Sequence, residues 1–182
     1  MPLNFTTSYL SDSIDLLRYY KGLAERAIAQ VPDEHLLVAL DGEMNSIAVI
    51  VKHMAGNMRS RWTNFLESDG EKPDRQRDTE FLAPPPTREA LLALWEEGWQ
   101  LVFAALTPLT EEDLSRRVYI RGEAHSVMQA INRQLTHYAY HVGQIVFLAK
   151  HLNADAWQSL SVPRGKSEEF RQQVLAKEKS QR

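Results

Sequence analysis

An all-α fold is what this sequence predicts: a four-helix bundle with a long connection between its second and third helices and a short terminal extension. Three observations predict it. Four long stretches carry apolar residues at helical spacing, separated by Pro and by polar breaks. The connection at residues 69–86 is rich in charge, Gly and Pro and has no period. The length of 182 residues suits one sizeable domain, residues 1–182, better than two. Short loops elsewhere favour antiparallel neighbours, while the long connection permits the second and third helices to run parallel.

Each element has its own justification. Leu10, Ile14, Leu17, Ala24, Ile28 and Val31 form the stripe of a first helix that ends near Pro32. After an unpatterned stretch at residues 33–43, Asn45 or Ser46 caps a second helix. It carries Ile47, Val51, Met54, Met58, Trp62 and Phe65 on one face and is expected to run to about Ser68. Thr87 caps the third, which has Glu89 in its first turn, Leu91, Leu94, Trp95, Trp99, Val102 and Leu106 on one side, and Pro108 beyond its end. Residues 110–114 read as one short turn. Arg117–Ile120 and the Gly122 that follows read as a small extended hairpin. Ser126 caps the fourth helix, and a short helix at residues 167–177 closes the chain.

Composition excludes several functions. The formal net charge is −3 and no large basic block exists, so nucleic-acid binding has no electrostatic footprint. No uninterrupted apolar run reaches the ~18–20 residues that span a bilayer, and the N-terminus lacks the segments of a signal peptide. No membrane partner is expected, and a cytoplasmic place is. The absence of Cys rules out disulfides and a catalytic protein thiol, so thiol chemistry would need an external thiol. No Ser-His-Asp order or phosphate-cradling Gly loop appears.

The chemistry concentrates in the fourth helix. His137 and His141 lie one turn apart, at the edge of and within an apolar stripe that includes Ala130, Ile131, Leu135, Tyr138, Val142, Ile145 and Leu148. A buried imidazole needs a partner. Two at i and i+4 can share one, and a divalent metal is the natural candidate, although a histidine on an apolar face is also an ordinary core residue. A metal site needs at least a third ligand. His151 lies roughly 15 Å further along the helix, His125 sits in an exposed loop position before the cap, and His35 falls in the unpatterned stretch. His53 alone lies inside another long helix. Gly56, Asn57, Ser60 and Asn64 cluster near it, with Arg61 further round, while Gln134 precedes His137 by one turn on the same side. Asn57 and Gln134 either orient ligands and contact a substrate or are packing amides.

His53 within Ser46-Ile47-Ala48-Val49-Ile50-Val51-Lys52-His53-Met54, together with Arg133-Gln134-Leu135-Thr136-His137-Tyr138-Ala139-Tyr140-His141-Val142-Gly143-Gln144, resembles the DinB/YfiT-like superfamily. The closest match within it is a branch known only as a domain of unknown function. The resemblance extends over roughly residues 5–165 and includes Asp69-Gly70-Glu71-Lys72-Pro73 and Ser161-Val162-Pro163-Arg164-Gly165. It implies a four-helix bundle with zinc or nickel held by His53, His137 and His141. Some members of the superfamily are thiol-dependent transferases or isomerases and others have been called metal-dependent hydrolases, so the reaction itself does not carry over.

Two functions are therefore expected to compete. One is a metalloenzyme whose open coordination position serves thiol-dependent transfer onto a small electrophile or, with water, hydrolysis. The other is a non-catalytic metal-binding or stress-response protein. The expected partner is a small-molecule substrate, with a low-molecular-weight thiol as possible cofactor, and a homodimer stays open. No carboxylate stands out as a general base. Asn57, Arg61, Gln134 and Arg164 are the candidates for contacting ligand, Arg164 because a rigid Pro-Arg-Gly segment could aim its guanidinium at an anion. Arg75 and Arg77 read as solvated charge, and Trp95 and Trp99 as core or dimer surface.

Overall fold

The computed structural model describes residues 7–178. Five helices make up most of it: α1 (Tyr9–Ile28), α2 (Ile47–Trp62), α3 (Arg88–Leu106), α4 (Val127–Leu152) and α5 (Ser167–Leu175). A two-stranded antiparallel sheet, β1 (Arg117–Ile120) and β2 (Glu123–Ser126), precedes α4, with Arg117 opposite Ser126 and Ile120 opposite Glu123. Short 3₁₀ turns occupy Asp33–His35, Arg77–Phe81 and Glu111–Ser115. No helix among the described residues is long and apolar enough to cross a membrane.

The helices begin where side chains satisfy their free N–H groups. Ser8, Ser46, Thr87 and Ser126 each accept from the backbone N–H three residues on, and Gln129 returns the bond to Ser126 N. Ser46, not Asn45, is thus the cap of α2. Two expected ends move. α1 stops at Ile28, although Val31 is still buried beyond it. α2 stops at Trp62 rather than near Ser68, because Thr63 turns extended and Asn64 enters the left-handed region at φ 47°, which Asn tolerates better than most residues. Phe65 keeps its place against the core from outside the helix, 4.8 Å from the Trp62 ring.

One apolar core joins these elements. α1 packs on α4, and α2 packs on both α3 and α4. Trp95 and Trp99 are fully buried, so they are core. At Gly98 a Cβ would stand 2.9 Å from Met58 Sδ and 3.2 Å from Ala55 Cα, so α2 and α3 approach as closely as they do only because that side chain is missing.

The connection between α2 and α3 departs most from expectation. It is not a solvated strap but is tied down at several points. Asp69 accepts from the N–H groups of Glu71, Arg121 and Gly122, and so holds the hairpin turn whose two residues have φ of 56° and 76°. Gly70 donates its N–H to Tyr119 O at 2.7 Å and its carbonyl accepts from Ser60 Oγ at 2.8 Å. The Lys52 ammonium donates to the carbonyls of Thr79 and Leu82, at 2.7 and 2.5 Å. The Lys52 bonds hold the turn Arg77–Phe81 against α2 beside His53.

Candidate metal centre

The three histidines of the sequence reading come together. His53 projects from the middle of α2 and is 5% exposed, while His137 and His141 project from α4 and are half-buried. His137 Nε2 lies 3.4 Å from His53 Nε2 and 3.1 Å from His141 Nε2. Three nitrogens held about 2.0–2.1 Å from one tetrahedral zinc stand about 3.3 Å apart; the two spacings from His137 match this, and all three donor atoms lie within 4.8 Å of one another, close enough to share one ion. Among the described residues, this triad is the group of His, Asp and Glu side chains whose donor atoms converge in this way.

Hydrogen bonding decides which nitrogen faces inward. His53 Nδ1 donates to Glu80 Oε2 at 2.8 Å, since a carboxylate can only accept, and this turns Nε2 toward its neighbours. His141 Nδ1 donates to Gln144 Oε1 at 2.8 Å with the same result. His137 can place at most one proton between two lone pairs. Burial first, and then the neighbouring His141 and His53, push its pKa down to about 3, so it stays neutral. Burial likewise lowers His141, against the opposing bond to Gln144. Three imidazoles with converging ring nitrogens are a donor set for a cation, and the residues fit a divalent metal.

Behind His53 stands a charged network that the sequence did not reveal. Burial alone would raise the Glu80 carboxyl, but the hydrogen bonds from His53 and Arg75 outweigh it and hold the pKa below the usual range. Arg75, expected in solvent, is buried and grips Glu80 with two bonds, Nε to Oε1 at 2.7 Å and Nη2 to Oε2 at 2.9 Å. Its remaining nitrogen reaches Glu71 at 3.2 Å, where Arg61 also donates at 2.8 Å. Metal-binding histidines commonly rest on a carboxylate in this way.

The one sequence signal for Glu80 was Gly56, a glycine in mid-helix next to the candidate ligand. A Cβ there would stand 2.5 Å from Glu80 Oε1 and 2.7 Å from its Cδ. Gly56→Ala is therefore expected to displace the carboxylate and weaken metal binding roughly 10–100-fold, the usual range when such a support is lost. Isothermal titration with zinc measures it, and unchanged affinity would show that Glu80 does not matter to His53.

The remaining candidates divide. Asn57 is buried and accepts from the Tyr138 hydroxyl at 3.2 Å, and Tyr138 in turn accepts from Trp62 Nε1 at 2.8 Å. It belongs to a core network. Arg61 is buried and donates to Gly70 O and Glu71, so it holds the connection. Gln134 is buried, and its Oε1 has no hydrogen-bond partner among the described residues, nor does His137 Nδ1 one turn later. Arg164 is exposed on the segment after α4 and forms no ion pair or hydrogen bond with a described residue. His151 is exposed, His35 lies in the first 3₁₀ turn, and His125, expected in an exposed loop, is half-buried on β2. Sequence reading also missed two rings packed against the triad. Phe81 stacks on His53 at 4.8 Å, and the exposed Tyr140 meets His141 edge-on at 5.0 Å.

No curated protein matches the chain. Residues 4–166 match the model of the family described as "Protein of unknown function (DUF1572)", and the chain belongs to that family.

Proposed function

We propose that this protein is a metalloenzyme of the DinB/YfiT-like kind, a four-helix bundle in which His53, His137 and His141 hold one divalent ion, zinc or nickel. With the ion bound, the site would serve the transfer of a low-molecular-weight thiol onto a small electrophile. The observation that carries the reading is the convergence of three Nε2 atoms at 3.1 and 3.4 Å, with two rings turned inward by acceptors at Nδ1. The packing of α1 on α4 and of α2 on α3 and α4 supports the bundle.

When bound, the ion supplies positive charge that favours the anionic form of a nearby thiol, and soft sulfur suits either metal. The chain has no Cys, so that thiol is external. Glu80 and Gln144 fix the ring orientations of His53 and His141. A metal-bound His137 carries its proton on Nδ1 and needs an acceptor, and the unpartnered Gln134 Oε1 on the preceding turn is complementary to it. Phe81 covers one face of His53, while the half-buried His137 and His141 leave an approach from solvent. Glu80 faces Nδ1 of His53 and is occupied by Arg75, so it orients a ligand rather than serving as a base for water. That favours transfer over hydrolysis. In transfer, a carbon–sulfur bond forms as the bond to the leaving group breaks, the leaving group takes the electron pair, and the thiol proton passes to solvent.

Cobalt-loaded protein tests the reading. Addition of small thiols is expected to raise a strong near-ultraviolet charge-transfer band. No band with any of several cellular thiols, alongside hydrolysis of an ester or amide, would replace transfer with hydrolysis. Neither band nor turnover would leave a non-catalytic metal-binding protein.

A further inference from the structure

The turn that brings Glu80 to His53 also carries a cation onto the ring that stacks on His53. The Arg77 guanidinium lies over the Phe81 ring, with Cζ 5.1 Å from the centroid. Phe81 stacks on His53 at 4.8 Å, which puts the guanidinium at most about 10 Å from the ligand ring. Other cations nearby are committed: Lys52 to backbone carbonyls, Arg61 to Gly70 and Glu71, and Arg75 to Glu80 and Glu71.

Arg77 is different. Its side chain is half-exposed, and its ion pair among the described residues is a 3.9 Å contact with the fully exposed Asp78. Such a pair contributes little. A guanidinium resting on a ring face has lost part of its rotamer freedom already, and its in-plane N–H groups remain able to grip a carboxylate. Phe81 contacts both this guanidinium and His53, and the next residue, Leu82, is exposed.

We propose that Arg77 binds the anionic end of the ligand that reaches the metal: a small molecule with its donor atom at the triad, an apolar middle along Phe81 and a carboxylate at Arg77. This rests on the reading of the triad as a metal centre. It moves the anion-binding role from Arg164, which nothing in the fold ties to the triad, to the turn Arg77–Phe81.

The test uses matched probes on the cobalt-loaded full chain. Mercaptohexanoate is compared with mercaptohexanol through the charge-transfer band, and adipic monohydroxamate with hexanohydroxamate through the visible cobalt spectrum, so that the outcome does not depend on thiol binding. The carboxylate-bearing member of each pair is expected to bind roughly tenfold more tightly or better, as a charge-assisted hydrogen bond would give. Arg77→Gln is expected to erase that preference while cobalt content and the affinity for the neutral probes stay unchanged. Equal affinity within both pairs in the wild type, or a preference that survives in Arg77→Gln, would overturn the assignment and leave the metal centre standing. Failure to load cobalt at all would overturn both.

Discussion

His137→Ala is expected to strip the protein of its metal. Purified without chelator, the wild type should carry about one divalent ion per chain, and the variant background levels, because one of only three protein ligands is gone. The loss should exceed the ~10–100-fold that follows removal of a supporting group. Inductively coupled plasma mass spectrometry reads the stoichiometry. Stability provides a second reading. Since His53 and the His137/His141 pair come from helices far apart in sequence, an ion bound only by the folded chain at 100 times its Kd adds ~2.7 kcal/mol. For a chain of this size that is roughly 5–10 °C in Tm. EDTA should therefore lower the Tm of the wild type and leave that of His137→Ala unmoved. Full metal occupancy after replacing His53, His137 and His141 together by Ala would refute the site, and an equal EDTA effect in both proteins would place the ion elsewhere.

Glu80→Ala is expected to be the most destabilising single change in the connection. It leaves the Arg75 guanidinium, whose side chain is only 5% exposed, without the carboxylate that takes two of its nitrogens. Breaking a buried pair from one side costs about 3–5 kcal/mol, because the surviving charge is left desolvated. The contact of Arg75 with Glu71 softens this toward the lower figure. A fall in Tm of roughly 6–20 °C follows, measurable by calorimetry on the metal-free protein so that loss of the ion does not contribute. Removing both charges with Arg75→Leu/Glu80→Leu should restore much of the loss, since an apolar pair leaves no buried charge unpaired. If Glu80→Ala melts with the wild type, the network is not holding the connection. Glu80→Gln separates structure from chemistry: its amide oxygen can still accept from His53, so the milder variant should keep most of the Tm and lose part of the metal affinity.

Local periodicity determined the four long helices, because a stripe at 3.6-residue spacing and a capping Ser or Thr specify an element without reference to the rest of the chain. The same locality made the ligands legible. His137 and His141 share a helix face by spacing alone, and His53 was the one histidine inside a different long helix. The hairpin before α4 and the short last helix were readable too.

What the sequence could not determine were the groups whose meaning depends on the path of an irregular segment. Glu80 lies 27 residues beyond His53 in a stretch without period, so no spacing rule places its carboxylate at Nδ1. Arg75 looks like solvated charge until Glu80 and Glu71 surround it. Arg61 and Asn57 looked like ligand contacts because they lie near His53 on a helical projection, yet tertiary packing gives them to Gly70, Glu71 and Tyr138. Arg164 looked aimed by its Pro and Gly neighbours and is simply exposed. A helix carries its own geometry, so its faces can be read from one strip of sequence. A buried ion pair exists only when two distant segments meet, and the bonds that Lys52 and Ser60 donate and Asp69 accepts form only in the folded chain.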